Sequence, residues 1–233
     1  MNLLEIILFL VVVLLIIRGL HEGILRMAFS LLSCLLVIIV ISKVSPMVND
    51  YLKSKNNVQQ DMHRIADKYV SSREKSAKED SSGKGKDYLV NESASEIPRF
   101  MREVLVKELE KIDYNAFSEE EIQKMTHDAL VVTVEDLLMK GLAFLLTLAF
   151  ASLVMGVVRI LLGILGHLPI IHGVSKLLGG FMGLIEGMIL IWIILFVIQC
   201  FSATESGNAL LQMSRDSQIL TEINDFNPLF DIF

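Results

Sequence analysis

The 233-residue sequence is poor in the residues that would make it an enzyme, a disulfide scaffold or a nucleic-acid binder. Its two cysteines, Cys34 and Cys200, both fall in or at the edge of apolar runs, so they build neither a disulfide framework nor a metal site. Basic residues are in deficit. The chain has 21 Lys and Arg against 27 Asp and Glu, a formal net charge of -6, which excludes the basic patch that phosphate neutralisation requires; no nucleic-acid partner is expected. The five histidines, at positions 21, 63, 127, 167 and 172, show no metal-ligand spacing, so no metal and no other cofactor is expected. No Ser, Cys or Asp sits in a nucleophile motif, and no glycine-rich phosphate loop ends in Lys-Ser or Lys-Thr. We therefore assign no catalytic residue and read the chain as a non-enzyme.

What the sequence has in excess is apolar residues, 53% without counting its 14 glycines, against roughly 45 to 50% with glycine for an average soluble domain. They gather in four blocks, Leu3 to Ile17, Ile24 to Ile41, Gly141 to Leu165 and Leu177 to Ile198. Each approaches or exceeds the roughly 20 residues that cross a hydrocarbon core. Of the charged residues, only the acids Glu5 and Glu186 and, toward block ends, Arg26 and Arg159 lie inside a block. The first block is not read as a signal peptide, because no Lys or Arg precedes it and Arg18-Gly19-Leu20-His21 follows where a small-residue cleavage site belongs. The expected fold is all-α: a polytopic membrane protein with four transmembrane helices in two hairpins and a largely helical polar insert between them. Its first partner is the lipid bilayer.

Four regions follow: a first transmembrane hairpin (1–42), an insert (43–140), a second hairpin (141–200) and an acidic amphipathic tail (201–233). In the insert, Val58, Met62, Ile65 and Tyr69 recur at helical spacing, as do Phe100, Val104 and Ile112 after Pro98. Between them, Ser71 to Glu96 is rich in Ser, Lys, Glu and Gly and is expected to be a flexible loop. Ser118-Glu119-Glu120-Glu121 reads as a capping box starting a helix that runs through Gly141 into the third span. The tail predicts a single amphipathic helix around Ala209 to Ile223, stopped near Asn227-Pro228, that covers the insert helices or lies on the lipid surface.

Short loops that carry Lys and Arg stay in the cytoplasm. The two hairpin turns hold Arg18, Arg26, Arg159 and Lys176 against Glu22 alone, whereas the insert and tail are net acidic. The expected location is the bacterial cytoplasmic (inner) membrane, with insert and both termini extracytoplasmic.

The fourth block carries Gly179, Gly183 and Gly187 four residues apart. Such a ladder lets backbones approach where no hydrophobic force drives helices together in lipid. Gly156 and Gly163 mark the third span as the expected packing partner, and a homo-oligomer or a membrane-protein partner could use the same glycine-rich faces. Glu186 points within about 20° of Gly179 at about 100° per residue. Because an intramembrane acid is a functional hypothesis by default, we take Glu186, with Arg159 as a possible counter-charge, as an ion or pairing site. Arg18, Gly19, Gly23 and Arg26 crowd the first turn; together with Lys176 they set topology or bind anionic headgroups.

The first hairpin, with Arg18-Gly19-Leu20-His21-Glu22-Gly23-Ile24 joining two apolar spans, resembles the opening of the colicin V production (CvpA-like) family of bacterial membrane proteins. Leu168-Pro169-Ile170 followed by the glycine ladder is similar to that family's second half. The ending Ser214-Arg215-Asp216-Ser217-Gln218-Ile219-Leu220, then Asn227-Pro228-Leu229, resembles the tails of members from Gram-positive bacteria. The resemblance implies a four-span membrane protein tied to colicin V toxin production, export or envelope maintenance. Two alternatives stand beside it: a small transporter or channel using Glu186, and an extracytoplasmic sensor or adaptor acting through the insert.

Overall fold

The computed structural model of the chain describes residues 2–80, 119–165 and 174–232, and among them the fold is all-helical. The expected helix after Pro98, the Ser118 cap and the second hairpin turn lie outside the described residues. The spans are α1 (Leu3–Glu22), α2 (Ile24–Lys53), α4 (Glu119–Leu165) and α5 (Val174–Cys200). Each contains a stretch long and apolar enough to cross a membrane. Helix α3 (Asn56–Asp80) lies beside the first part of α4, and three short helices form the tail: α6 (Glu205–Arg215), α7 (Gln218–Asp225) and α8 (Leu229–Ile232).

Local chemistry sets the ends of α1. The Asn2 side chain accepts from the Glu5 amide at 2.9 Å, and at the other end Gly23 adopts φ 77°, a left-handed conformation that glycine enters without the cost of a Cβ. That single residue is the whole connection between α1 and α2. The two helices consequently open from Gly23 as a V and touch each other little.

The fourth span fills the V. Helix α5 packs along α1, antiparallel to it, and also along α2, while α2 packs in turn on α4. The two spans of each hairpin are thus not the tightly packed pairs; the first span pairs with the fourth, and the second with the third. A Cβ on Gly141 would stand 2.6 Å from the Cβ of Cys200, so this glycine brings α4 against the far end of α5. Nearby, the Phe144 and Phe196 rings are tilted across each other at 4.9 Å.

Helix α4 has 47 residues, roughly 70 Å at 1.5 Å per residue, against a hydrocarbon core of about 30 Å. More than half of it therefore projects, as the absence of a breaker before Gly141 leads one to expect. The projecting stem is held by α3: Ala66, Val70, Leu130, Val131 and Val134 are buried between them, in one cluster with Val37 and Ile41 of the second span. Burial of aliphatic side chains of this kind contributes about 1.5 to 3 kcal/mol each. Carboxylates pin the edges, His63 to Glu135 at 2.8 Å and His127 to Asp67 at 3.1 Å. At the root of the stem Asp136 bridges Lys53 (2.6 Å) and Lys140 (3.2 Å).

Two expectations about local structure change. Helix α3 continues to Asp80, past Ser71 where a loop was expected, because no glycine or proline occurs before Gly83 and the intervening charged residues are good helix formers. Around Ala209 to Ile223, where a single helix was expected, the tail has α6 and α7, since Ser217 caps the Leu220 amide at 3.3 Å and so begins a second helix after Arg215.

Candidate functional site: a polar junction of three membrane helices

The ladder on α5 is filled from within the chain. A Cβ on Gly183 would collide with the Leu15 carbonyl, one on Gly179 with Gly19 and Gly23, and one on Gly187 would meet Val12 at 3.2 Å. The expected partner was the third span, and this is corrected. A side chain at Gly156 would meet nothing within 4 Å, so that glycine lies on an open face of α4. The surroundings of Gly163 and the side chain of Arg159 are not among the described features. The physical reason for the exchange of partner is the V at Gly23. Its vertex is bare backbone at Gly19 and Gly23, and only an equally bare helix can enter it.

Glu186 stands at the rim of this seam, near the middle of α5, and turns toward α2. The Ser30 hydroxyl donates to Glu186 Oε1 at 2.9 Å. Glu186 Oε2 is buried and has no hydrogen-bond partner among the described residues. Ser33, one turn further along α2, directs its hydroxyl to the Phe29 carbonyl at 2.8 Å, which satisfies it within its own helix. Arg18 lies within electrostatic reach of Glu186, but its guanidinium is engaged by Glu22, with contacts of 2.9 and 3.4 Å.

The residues expected to act at the hairpin turns thus divide. Arg18, Gly19, Gly23, Arg26 and Lys176 lie at one end of the bundle, where Gly23 meets Gly179. Arg26 and Lys176 are exposed there, while Arg18 closes an i,i+4 pair with Glu22. Ser30 was not singled out from the sequence. The available signal was that Ser30 and Ser33 form a polar step in an otherwise apolar run, although nothing in the run indicates which helix they face.

Chemically, the junction offers one carboxyl oxygen satisfied by a hydroxyl and one left open in an apolar setting. Such an arrangement can receive a donor or a cation. Among the described residues no three His, Cys, Asp or Glu side chains converge as a metal group. A second polar feature lies outside the spans, an open groove between α3 and α4 bordered by Asn56, Gln60, His63, Asp67 and Glu135.

The tail completes the description. It folds back on α5 and α1 rather than covering the insert helix α3. Trp192 Nε1 donates to the Ile223 carbonyl at 3.1 Å, Gln199 Nε2 to Asn224 Oδ1 at 2.7 Å and Asn227 Nδ2 to the Trp192 carbonyl at 3.0 Å. Asn2 donates to the Met213 carbonyl and ties the start of α1 to α6.

No curated protein and no solved structure gives a match to the chain. The family comparison does: it begins just before α4, takes in the stem, the third and fourth spans and the tail through α7, and leaves out α1 to α3 and α8. Over residues 116–228, a little under half of its length, the chain matches the family model described as colicin V production protein, and four of its helices are long and apolar enough to span a membrane.

Proposed function

We propose that the chain is a non-enzymatic membrane scaffold that supports the production or export of a colicin V-type toxin, or the upkeep of the envelope through which it leaves. The observation that carries this reading is the family match over residues 116–228, which takes in the stem, two spans and most of the tail. A continuous helix of 47 residues, braced by α3, is suited to holding a partner at a fixed distance from the bilayer. The groove between α3 and α4 supplies polar groups for such contact, so the adaptor role of the insert becomes part of the same reading.

The stem and tail stand outside the cytoplasm in this proposal, and the end bearing Arg18, Arg26 and Lys176 faces inward, as the positive-inside rule favours. Self-association would use the outer face of α4 around Gly156, because α1 already occupies the ladder on α5. The test is toxin release from a producing strain that lacks the chain. Restoration by the full chain, and failure of a stably inserted variant in which α3 no longer packs on α4, is the expected result. Undiminished release without the chain overturns the reading.

One observation favours a second reading, that of an ion or proton path. Glu186 Oε2 is buried at mid-span and has no hydrogen-bond partner among the described residues. Flux in proteoliposomes that disappears in Glu186→Gln would support it, and absence of flux in the unaltered protein would eliminate it.

A further inference from the structure

Helix α5 is exposed at intervals up to Leu184 and then no longer, since every residue from Ile185 to Cys200 is buried or half-buried. Helices α1, α2 and α4 take part of that surface, and the tail takes the rest. It does so at some depth. The contacts of Ile223 and Asn227 with Trp192 lie eight residues before the end of α5, roughly 12 Å along its axis at 1.5 Å per residue. At 27 residues, about 40 Å, α5 outruns a hydrocarbon core of about 30 Å by about 5 Å at each end when centred in it, which sets these contacts about 7 Å inside the core. Helices lying in a bilayer interface sink about 5 to 10 Å into the boundary between headgroups and acyl chains.

The inner side of the segment is well anchored: Leu220 and Asn227 are buried, and Leu229 joins the main core. Its outer side is not polar. Phe226 is 81% exposed and Ile219 58%, with Glu222 and Asp225 exposed between them. We propose that α7 and the turn after it form an interfacial wedge in the leaflet on the stem side. Phe226 and Ile219 stand among the acyl chains there, and the two carboxylates reach the headgroups. The occupant is lipid because the wedge continues an apolar belt. The same end of α1 presents Leu3, Ile7, Phe9 and Leu10 outward, all of them exposed, and the tail is bonded directly to α1 through Asn2.

The test uses the full chain in bilayers containing lipids brominated either near the glycerol or near the middle of the chain. A single tryptophan is placed by Phe226→Trp in a Trp192→Phe background, with Ile219→Trp in the same background as a second site. The expected result is blue-shifted emission, with loss of roughly half of it to bromines near the glycerol and less to those deeper. Emission at the aqueous wavelength with ready quenching by acrylamide overturns the proposal. So does blue-shifted emission insensitive to both lipids, which would mean that protein covers the site. Should Trp192→Phe loosen the tail, Phe226→Trp alone, read as bromine quenching beyond that of Trp192, makes the same distinction.

Discussion

The backbones of Gly19 and Gly179 lie directly against each other, and a Cβ on either would stand on the other's peptide group. The first and fourth spans are joined at this point without an intervening side chain. The prediction follows from the geometry: Gly19→Ala and Gly183→Ala each force backbone apart and cost about 1 to 3 kcal/mol, as overpacking does. Gly156→Ala meets open space and changes stability by less than about 0.5 kcal/mol. Unfolding in mixed micelles with rising SDS reads both, and equal effects at Gly183 and Gly156 would refute the seam.

From the second span, the Ser30 hydroxyl donates to Glu186 Oε1 at 2.9 Å. A double-mutant cycle of Ser30→Ala and Glu186→Gln should show a coupling of about 0.6 to 1.7 kcal/mol, the range measured for bonds between membrane helices. Additive effects would show that the two side chains do not interact in the folded protein.

Asn227 is 5% exposed and works in two directions, donating to the Trp192 carbonyl at 3.0 Å and accepting from the Leu229 amide at 3.1 Å. Asn227→Ala takes the acceptor from the buried Leu229 amide and removes the bond that ties this turn to the Trp192 carbonyl, at a cost of about 1 to 3 kcal/mol. The tail should then open, and trypsin should cleave after Arg215 markedly faster than in the unaltered protein. An unchanged cleavage rate would mean that the tail is held by its apolar contacts alone.

The stem depends on a seam with no room for charge. Ala66 has no exposed surface and faces the buried row on α4. Ala66→Asp places an unpaired carboxylate in that seam and should cost more than about 3 kcal/mol locally. Amide exchange across residues 56–80 should accelerate while the spans stay protected, and Gln59→Asp, at an exposed position of the same helix, should change nothing.

Orientation is tested by labelling intact cells with an impermeant maleimide. Asn57→Cys should react from outside and Lys176→Cys only after permeabilisation; both side chains are exposed in the fold. The opposite pattern would put the stem in the cytoplasm.

The number of spans, the long unbroken α4 and the helix around Val58 to Tyr69 were legible because each rests on a periodicity or on the lack of a breaker within one stretch of chain. The partner of the glycine ladder was not. Gly156 and Gly19 are equally bare, and spacing along α5 gives the direction of the face without saying which helix comes to meet it. What decides is the conformation of Gly23, which opens α1 and α2 around a space of one helix's width. Glu186 was singled out by its charge, whereas Ser30 was missed because a hydroxyl in an apolar helix can also bond its own backbone, as Ser33 does. The break in the tail at Ser217 was missed for a related reason, since Ser217 lies inside a run whose apolar spacing continues on both sides.

The V at Gly23 also fixes the order in which the protein can be built. Its vertex is closed by residues roughly 160 positions later in the chain, so closing it means joining ends separated by a very long loop. At translation rates of about 5 to 20 residues per second, the first two spans wait roughly 8 to 30 s before the ladder of α5 has been synthesised. Throughout that interval the bare backbone at Gly19 and Gly23 meets lipid or a chaperone, and it is then that the unfinished chain is most open to capture by another membrane helix.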